Sequence, residues 1–267
     1  PLVLEKREPG GLLWNADLVE NYPGFPRGVS GGKLVGLMKK QLERLGVEIT
    51  REEVLDADWA QDGFVVTTQK AVRSAQTLLI ASGTKSHPLP EVVSPQARDR
   101  VFTEVRELAG QQGRQIIIVG AGDAAFDYAL NLSKKRNFVT ILNRGEDIKC
   151  LPLLFERVAR DPSIQYRAGV ALRQVKPDAG TGRLALEVET LKQGIFPLDA
   201  DYVLFAIGRV PCTGFVSAEI MRREHELVDS GRLYWIGDVK NGSFRQAAIA
   251  VGDGLRAAMQ IYMRSNQ

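Results

Sequence analysis

Gln115-Ile116-Ile117-Ile118-Val119-Gly120-Ala121-Gly122-Asp123-Ala124-Ala125 decides how the rest of this chain is read. The aliphatic run after Gln115 has strand length and no polar interruption, which suits a strand covered on both faces. It ends in Gly-x-Gly-x-x-Ala, and helical periodicity continues to about Lys135. A second apolar run, Phe138 to Leu142, comes next. This strand–turn–helix–strand order fills roughly 30 residues, half of a nucleotide-binding unit. In such a turn the first glycine permits the bend, the second lets backbone approach a diphosphate, and the small third residue keeps helix and strand close. The helix start then presents unpaired N–H groups to the anion. Gly120, Gly122, Asp123, Ala124 and Ala125 are therefore the candidate diphosphate site of a dinucleotide, against the alternative of a purely structural turn.

The end of the second strand bears on which dinucleotide. An acid there takes the ribose diol of NAD, whereas arginine suits the 2′-phosphate of NADP. The chain reads Asn143-Arg144-Gly145-Glu146-Asp147-Ile148-Lys149. No acid stands at the strand end, Arg144 adjoins it, and Lys149 adds a second cation, so NADP is favoured over NAD. Glu146 and Asp147 dilute that positive field, and the alternative is that both cations are ordinary solvated charges.

Outward from this unit, Pro1 to Glu5 reads as a short buried strand, followed by the turn-rich Glu8-Pro9-Gly10-Gly11. Two prolines stiffen the loop Val19 to Pro26, and an amphipathic helix is expected from Lys33 to Leu45, its Leu34, Leu37, Met38, Leu42 and Leu45 turned to the core. Strands are expected at Val47 to Thr50, Phe64 to Thr68, Leu78 to Ala81, Leu184 to Thr190, Tyr202 to Ile207 and Leu233 to Ile236. A last helix runs from about Phe244 to Tyr262, with Ala247, Ala248, Val251, Leu255, Ala258 and Met259 on one face. Between these, Gly237-Asp238 follows a strand, where a carboxylate can accept hydrogen bonds from a polyol chain. By itself that pair is a turn former.

The chain has 267 residues, 35 Lys plus Arg against 32 Asp plus Glu, and a net charge of +3. So small a net charge does not point to nucleic acid or a membrane as a partner, because such binding needs positive charge clustered on one face. Cys150 and Cys212 stand alone and His87 and His225 have no neighbour at ligand spacing, so no disulfide framework and no metal site are expected. No apolar run reaches the ~18 to 20 residues of a membrane span. A soluble protein of the reducing cytoplasm is the expectation.

Several segments occur in an order that resembles the low-molecular-weight thioredoxin reductases: Glu5-Lys6-Arg7-Glu8-Pro9-Gly10-Gly11, Val19 through Pro26, Ile80-Ala81-Ser82-Gly83, Val119 through Ala125, Ala206-Ile207-Gly208-Arg209-Val210-Pro211, Gly237-Asp238 and Arg245-Gln246-Ala247. The resemblance implies an α/β fold of two Rossmann-like, three-layer nucleotide-binding domains, an NAD(P)H domain (105–205) inserted in a discontinuous FAD domain (1–104 and 206–267). It places Glu5 at the adenosine ribose and Gly10, Gly11 and Asn21 on the flavin side, with Leu12 where the family usually has glutamine. Ala81, Ser82 and Gly83 join the cofactor-binding set. Gly237 and Asp238 fall at the ribityl or diphosphate region, Arg245, Gln246 and Ala247 over the isoalloxazine, and Ile207 and Gly208 near the nicotinamide.

Departures from the family pattern shape the functional expectation. The redox Cys-x-x-Cys is replaced by Thr103-Glu104-Val105-Arg106, and without two thiols there is no route for thiol exchange. The family's first strand, its Gly-rich turn and the helix behind it have no counterpart here. Either this sequence is a fragment of a longer protein, the favoured reading, or the FAD site has lost its phosphate cradle. The family's His-Arg-Arg phosphate clamp is Asn143-Arg144-Gly145. Loss of the dithiol with two nucleotide sites kept, together with Asp127-Tyr128-Ala129-Leu130, resembles the ferredoxin or flavodoxin NADP reductases of the thioredoxin-reductase type. That resemblance implies hydride transfer from NADPH to FAD and on to a protein acceptor, in a homodimer by analogy. No residue of the chain need act as catalytic acid or base, because the chemistry belongs to the cofactors. The alternatives are a disulfide reductase with thiols on a partner or missing segment, and a non-catalytic nucleotide-binding remnant.

Overall fold

In the computed structural model, which describes residues 1–266, the Gln115–Val119 strand is the middle of five parallel strands. Their order is Ile164–Arg167, Phe138–Leu142, Gln115–Val119, Tyr202–Phe205, Val101–Phe102. The alternation of a strand divides its side chains between two cores. Ile116 and Ile118 pack with Phe126, Ala129 and Leu132 of the Asp123–Ser133 helix. Ile117 faces the other way, into Val175, Leu186 and Val188 of an antiparallel sheet formed by Ala171–Pro177, Leu184–Thr190 and Gly194–Ala200. Helices, parallel sheet and antiparallel sheet are thus three layers, each fully buried side chain such as Phe126 contributing roughly 1.5–3 kcal/mol.

Contacts divide the chain into two units. The sheet above belongs to the second, made of Trp14–Asp17 and Ser86–Arg209; the first holds Pro1–Leu13, Leu18–Lys85 and the chain from Val210 on. Opening and closing segments therefore share one unit. The contact borders, at 85/86 and 209/210, lie outside the expected 104/105 and 205/206. The reason is local: Val93, Ala97 and Val101 are buried against the antiparallel sheet, and Val101 pairs with Val203.

In the first unit, two parallel pairs, Val3–Glu5 with Ile49–Arg51 and Leu78–Ile80 with Leu233–Trp235, form separate two-stranded sheets. A three-stranded antiparallel sheet, Val54–Ala60, Gly63–Thr68 and Val72–Ala75, packs Ala57, Trp59 and Phe64 with Ile220, Leu227 and Leu233. The opening strand is not buried as expected: Leu2 is 54% and Val3 39% exposed, since it is paired along one edge only. Nor do the apolar stripes of the two long helices all reach a core. The Gly31–Arg44 helix, capped by Ser30, buries Leu34 and Val35 but exposes Leu37, and Leu45 at its C-cap is exposed too. The Ala247–Ser265 helix exposes Val251, Leu255 and Met259 and buries Ala257 instead.

Candidate functional site

The glycine turn lies at the C-terminal end of the central strand, beside the point where strand order reverses. Gly120 has φ +136°, and a Cβ built on it meets the Ala206 carbonyl oxygen at 2.3 Å. The first glycine is thus required by the neighbouring strand's end as well as by the bend. Gly122 has the opposite surroundings, with nothing within 4 Å of a built Cβ. It is the N-cap of the Asp123–Ser133 helix and no side chain caps that end. The N-cap therefore offers no side-chain oxygen to the first N–H groups of this 11-residue helix, a fit for a diphosphate. Ala125 is fully buried, holding helix to strand. Asp123 turns its carboxylate sideways: Oδ1 accepts the Leu151 N–H at 2.7 Å. With Lys149 N–H on the Ala121 carbonyl (3.2 Å), this draws the 149–151 backbone against the turn.

The cationic loop is shaped by Asn143, which is buried and bonded to Gly145, Asp147 and Tyr166. Arg144 and Lys149 are exposed, and among the described residues neither cation has a carboxylate partner. Glu146 lies against Gly169, where a Cβ would meet its Oε1 at 2.5 Å. Cys150, half-buried behind the loop, has its thiol pKa raised by burial and by Asp123.

Ile207 and Gly208 follow the Tyr202–Phe205 strand and are exposed; Gly208 has φ +104° and its carbonyl accepts the His87 N–H at 3.4 Å. The next residue, Arg209, donates through Nη1 to Glu104 Oε1 (2.6 Å) and Ser86 Oγ (2.8 Å). Glu104 stands in the stretch that replaces the family's dithiol. It is the N-cap of a short 3₁₀ turn, forms a capping box with Glu107, and accepts a bond from Asn15. The sequence gives no sign that Glu104 and Arg209 meet, because two opposite charges 105 positions apart carry no local signal. Tyr128 lies close by, its phenol pushed upward by burial and by the Glu104 carboxylate.

In the first unit, the Asn21 side-chain amide donates to Gln246 Oε1 across 225 positions, joining two residues expected beside the same ring. Gln246 is the N-cap of the Ala247–Ser265 helix and makes no side-chain cap bond to it. Gly10 and Gly11 have positive φ and lead, with Leu12, into the Gly11–Asn15 3₁₀ turn. Glu5, ending its strand, accepts the Arg7 N–H at 2.9 Å. Ala81 and Ser82 are exposed, and Gly83, at φ +64°, takes the Cys212 N–H on its carbonyl while Ser82 Oγ bonds the Cys212 carbonyl. The family resemblance assigns these positions to FAD, Glu5 to its adenosine ribose and Gly10, Gly11, Asn21 and Gln246 to the flavin side. For its diphosphate, no strand in the first unit runs through a Gly-x-Gly turn into an α-helix among the described residues.

Asp238 sits in a 3₁₀ turn whose conformation depends on a residue that no sequence motif flags. Asp253 Oδ2 accepts from the Gly237 N–H (3.0 Å) and Asn241 Nδ2 (2.7 Å), and its Oδ1 meets Lys240 Nζ at 3.2 Å. Burial opposes its ionisation, but these bonds outweigh burial and hold the carboxyl below its usual pKa. Such a depressed acid adds stability above its unfolded pKa, and the contribution is lost as pH falls through the folded value. Asp253→Ala is expected to cost about 1–3 kcal/mol in urea unfolding at pH 7, with the gap to the parent shrinking toward pH 3.

Among the described residues no group of three or more His, Cys, Asp or Glu is arranged to hold a metal ion, and no helix is long and apolar enough to cross a membrane. Both histidines are exposed, and both cysteines are free. Comparison with known proteins agrees with this architecture. A sequence model of the family described as pyridine nucleotide-disulphide oxidoreductase matches residues 2–254. A thioredoxin reductase of Treponema pallidum is 28% identical over 267 residues, covering 96% of this chain and 86% of that protein. The thioredoxin reductases of Lactococcus lactis (24% identity, 98% of this chain and 89% of that one) and T. acidophilum (23%, 100% and 90%) each superpose with a TM-score of 0.83.

Proposed function

The chain belongs to the pyridine nucleotide-disulphide oxidoreductase family, whose members use FAD and NAD(P)H, and on that premise we propose an NADPH-dependent flavin oxidoreductase that works without a disulfide of its own. The observation carrying this reading is the pairing of an open, uncapped glycine-turn helix with a dithiol position filled by Glu104. The second unit binds the dinucleotide: the helix N-terminus after Gly122 takes the diphosphate, and Arg144 with Lys149 takes the 2′-phosphate. Ile207 and Gly208 pass beside the nicotinamide. In the first unit, Asn21, Gln246, Arg245 and Ala247 face the flavin ring, Gly10 and Gly11 its edge, and Glu5 the ribose of the adenosine. Asp238 takes the ribityl hydroxyls. FAD, when bound, supplies the hydride acceptor at its isoalloxazine. The residues of the chain orient and shield; none exchanges a proton with the reacting atoms.

With no thiol pair to receive electrons, the acceptor is a protein such as ferredoxin or flavodoxin, served by a cytoplasmic homodimer. An anaerobic assay with added FAD tests this. NADPH is expected to bleach the flavin, and reduced ferredoxin or flavodoxin to accumulate; thioredoxin reduction, or no bleaching with nucleotide still bound, defeats the proposal. Arg144→Ala is expected to weaken NADPH binding about tenfold to hundredfold and leave NADH nearly unchanged, the size of one charge-assisted bond. An unchanged NADPH to NADH ratio removes the 2′-phosphate assignment.

A further inference from the structure

Asn143 occupies the strand end where an NAD-selecting acid would stand, yet its side chain is spent on the protein itself. It is 8% exposed. Its Oδ1 accepts the Gly145 N–H at 3.1 Å, and Nδ2 donates both to the Asp147 carbonyl and to Tyr166 Oη, each at 2.9 Å. An amide has two N–H donors, and both are used, while Oδ1 is turned to the Gly145 N–H on a side chain that is nearly buried. The partners also fix which way the amide points, since a backbone N–H must face oxygen and a backbone carbonyl must face nitrogen. Its main chain is held too: the N–H donates to the Arg167 carbonyl (2.9 Å) and the carbonyl accepts the Val170 N–H (2.8 Å).

The bond to Gly145 closes a turn of side chain on backbone two residues ahead, with Arg144 at its apex. Tyr166 gives that turn a rigid base, packed against Phe126 and Phe155 with ring centroids 5.6 and 5.9 Å away. On the far side, the Gly169 N–H holds the Gly145 carbonyl at 3.0 Å. Position is therefore passed from the aromatic core through Tyr166 and Asn143 to Arg144.

The geometry points to Asn143 as a specificity-determining positioning residue, which selects a 2′-phosphorylated nucleotide by fixing the loop that carries Arg144. This rests on the reading that Arg144 meets the 2′-phosphate. Aspartate cannot replace the amide, because a carboxylate would face the Asp147 carbonyl with no proton to give.

Dissociation constants for NADPH and NADH, measured by nucleotide fluorescence on the full chain, test it. Asn143→Ala is expected to weaken NADPH about tenfold and NADH less than about twofold, and Tyr166→Phe to act in the same direction by about threefold, as for loss of one neutral bond. A purely structural role would move both nucleotides together. Equal weakening of both, or no weakening, while Arg144→Ala still selectively loses NADPH, overturns the role of Asn143 and leaves the site reading intact. If Arg144→Ala itself keeps the preference, the site reading falls and this inference with it. Should Asn143→Ala not fold, by circular dichroism, Tyr166→Phe decides alone: a retained NADPH to NADH ratio refutes the role.

Discussion

Gly120→Ala is expected to abolish dinucleotide binding and to lower the stability of the chain by about 3 kcal/mol or more, whereas Gly122→Ala is expected to abolish binding alone. The two glycines stand two residues apart in one motif, but their surroundings are opposite. At Gly120 an added Cβ falls 2.3 Å from the Ala206 oxygen and 2.9 Å from its carbonyl carbon, and φ is +136°. The clash is with backbone, which cannot swing aside. Ala206 N–H bonds the Val119 carbonyl at 2.8 Å, and the Tyr202–Phe205 strand is paired throughout with Gln115–Val119. Backbone strain of this kind costs about 1–3 kcal/mol before the clash is counted. At Gly122, φ is −88° and nothing lies within 4 Å of a Cβ, so the fold accepts alanine and only an approaching diphosphate meets the new methyl. Urea unfolding and NADPH titration of both variants check this. Equal stabilities, or NADPH bound normally by Gly122→Ala, contradict it.

Asp127→Asn is expected to stabilise the chain at neutral pH by on the order of 2–3 kcal/mol, with the gain disappearing as pH falls. Asp127 lies on the Asp123–Ser133 helix, and its pKa is pushed up to about 6, chiefly by burial and then by the Asp17 carboxylate; Lys134 and the Asp17 N–H pull it partly back. The shift is upward, so the folded chain holds this proton more tightly than the unfolded one. The cost of ionising it is full above about pH 6 and is relieved as pH falls toward its unfolded value near ~4. The parent should therefore grow more stable relative to Asp127→Asn from about pH 7.5 to about pH 5. The neighbouring Asp17–Lys134 ion pair, at the end of this helix, and the Asn131 Nδ2 bond to the Asn15 carbonyl (3.5 Å) hold the Trp14–Asp17 segment against it. Paired urea titrations across that range decide the matter. A difference between the two proteins that does not change with pH contradicts the assignment.

How legible the molecule is depends on the range of the signal. Periodicity and glycine placement predict the Gln115–Val119 strand, the turn, the helix and the Phe138–Leu142 strand, and the structure has them. They do not predict the Ala171–Pro177 and Gly194–Ala200 strands. These flank Leu184–Thr190 in an exposed-edged antiparallel sheet, and their burial patterns, with many polar or exposed positions, resemble loops. The closing helix lies within three residues of where its pattern places it, and Val251, Leu255 and Met259 of its apolar face are exposed. Periodicity tells that a helix has an apolar side and says nothing of what covers it.

The sequence by itself determined the β-turn-α-β unit, its glycines and the absence of a redox dithiol, because short-range sterics and a two- or 3.6-residue hydrophobic period act within a few positions of chain. Only the tertiary structure decided that Ala206 is what forbids a side chain at Gly120, that Asp253 sets the Gly237-Asp238 turn, and that Asn143 is bonded to its own loop and to Tyr166. The first two depend on a carbonyl or carboxylate brought in from elsewhere in the chain, and the third on the Tyr166 phenol 23 positions away. Which groups meet there is settled by how buried faces pack, and no local pattern encodes it.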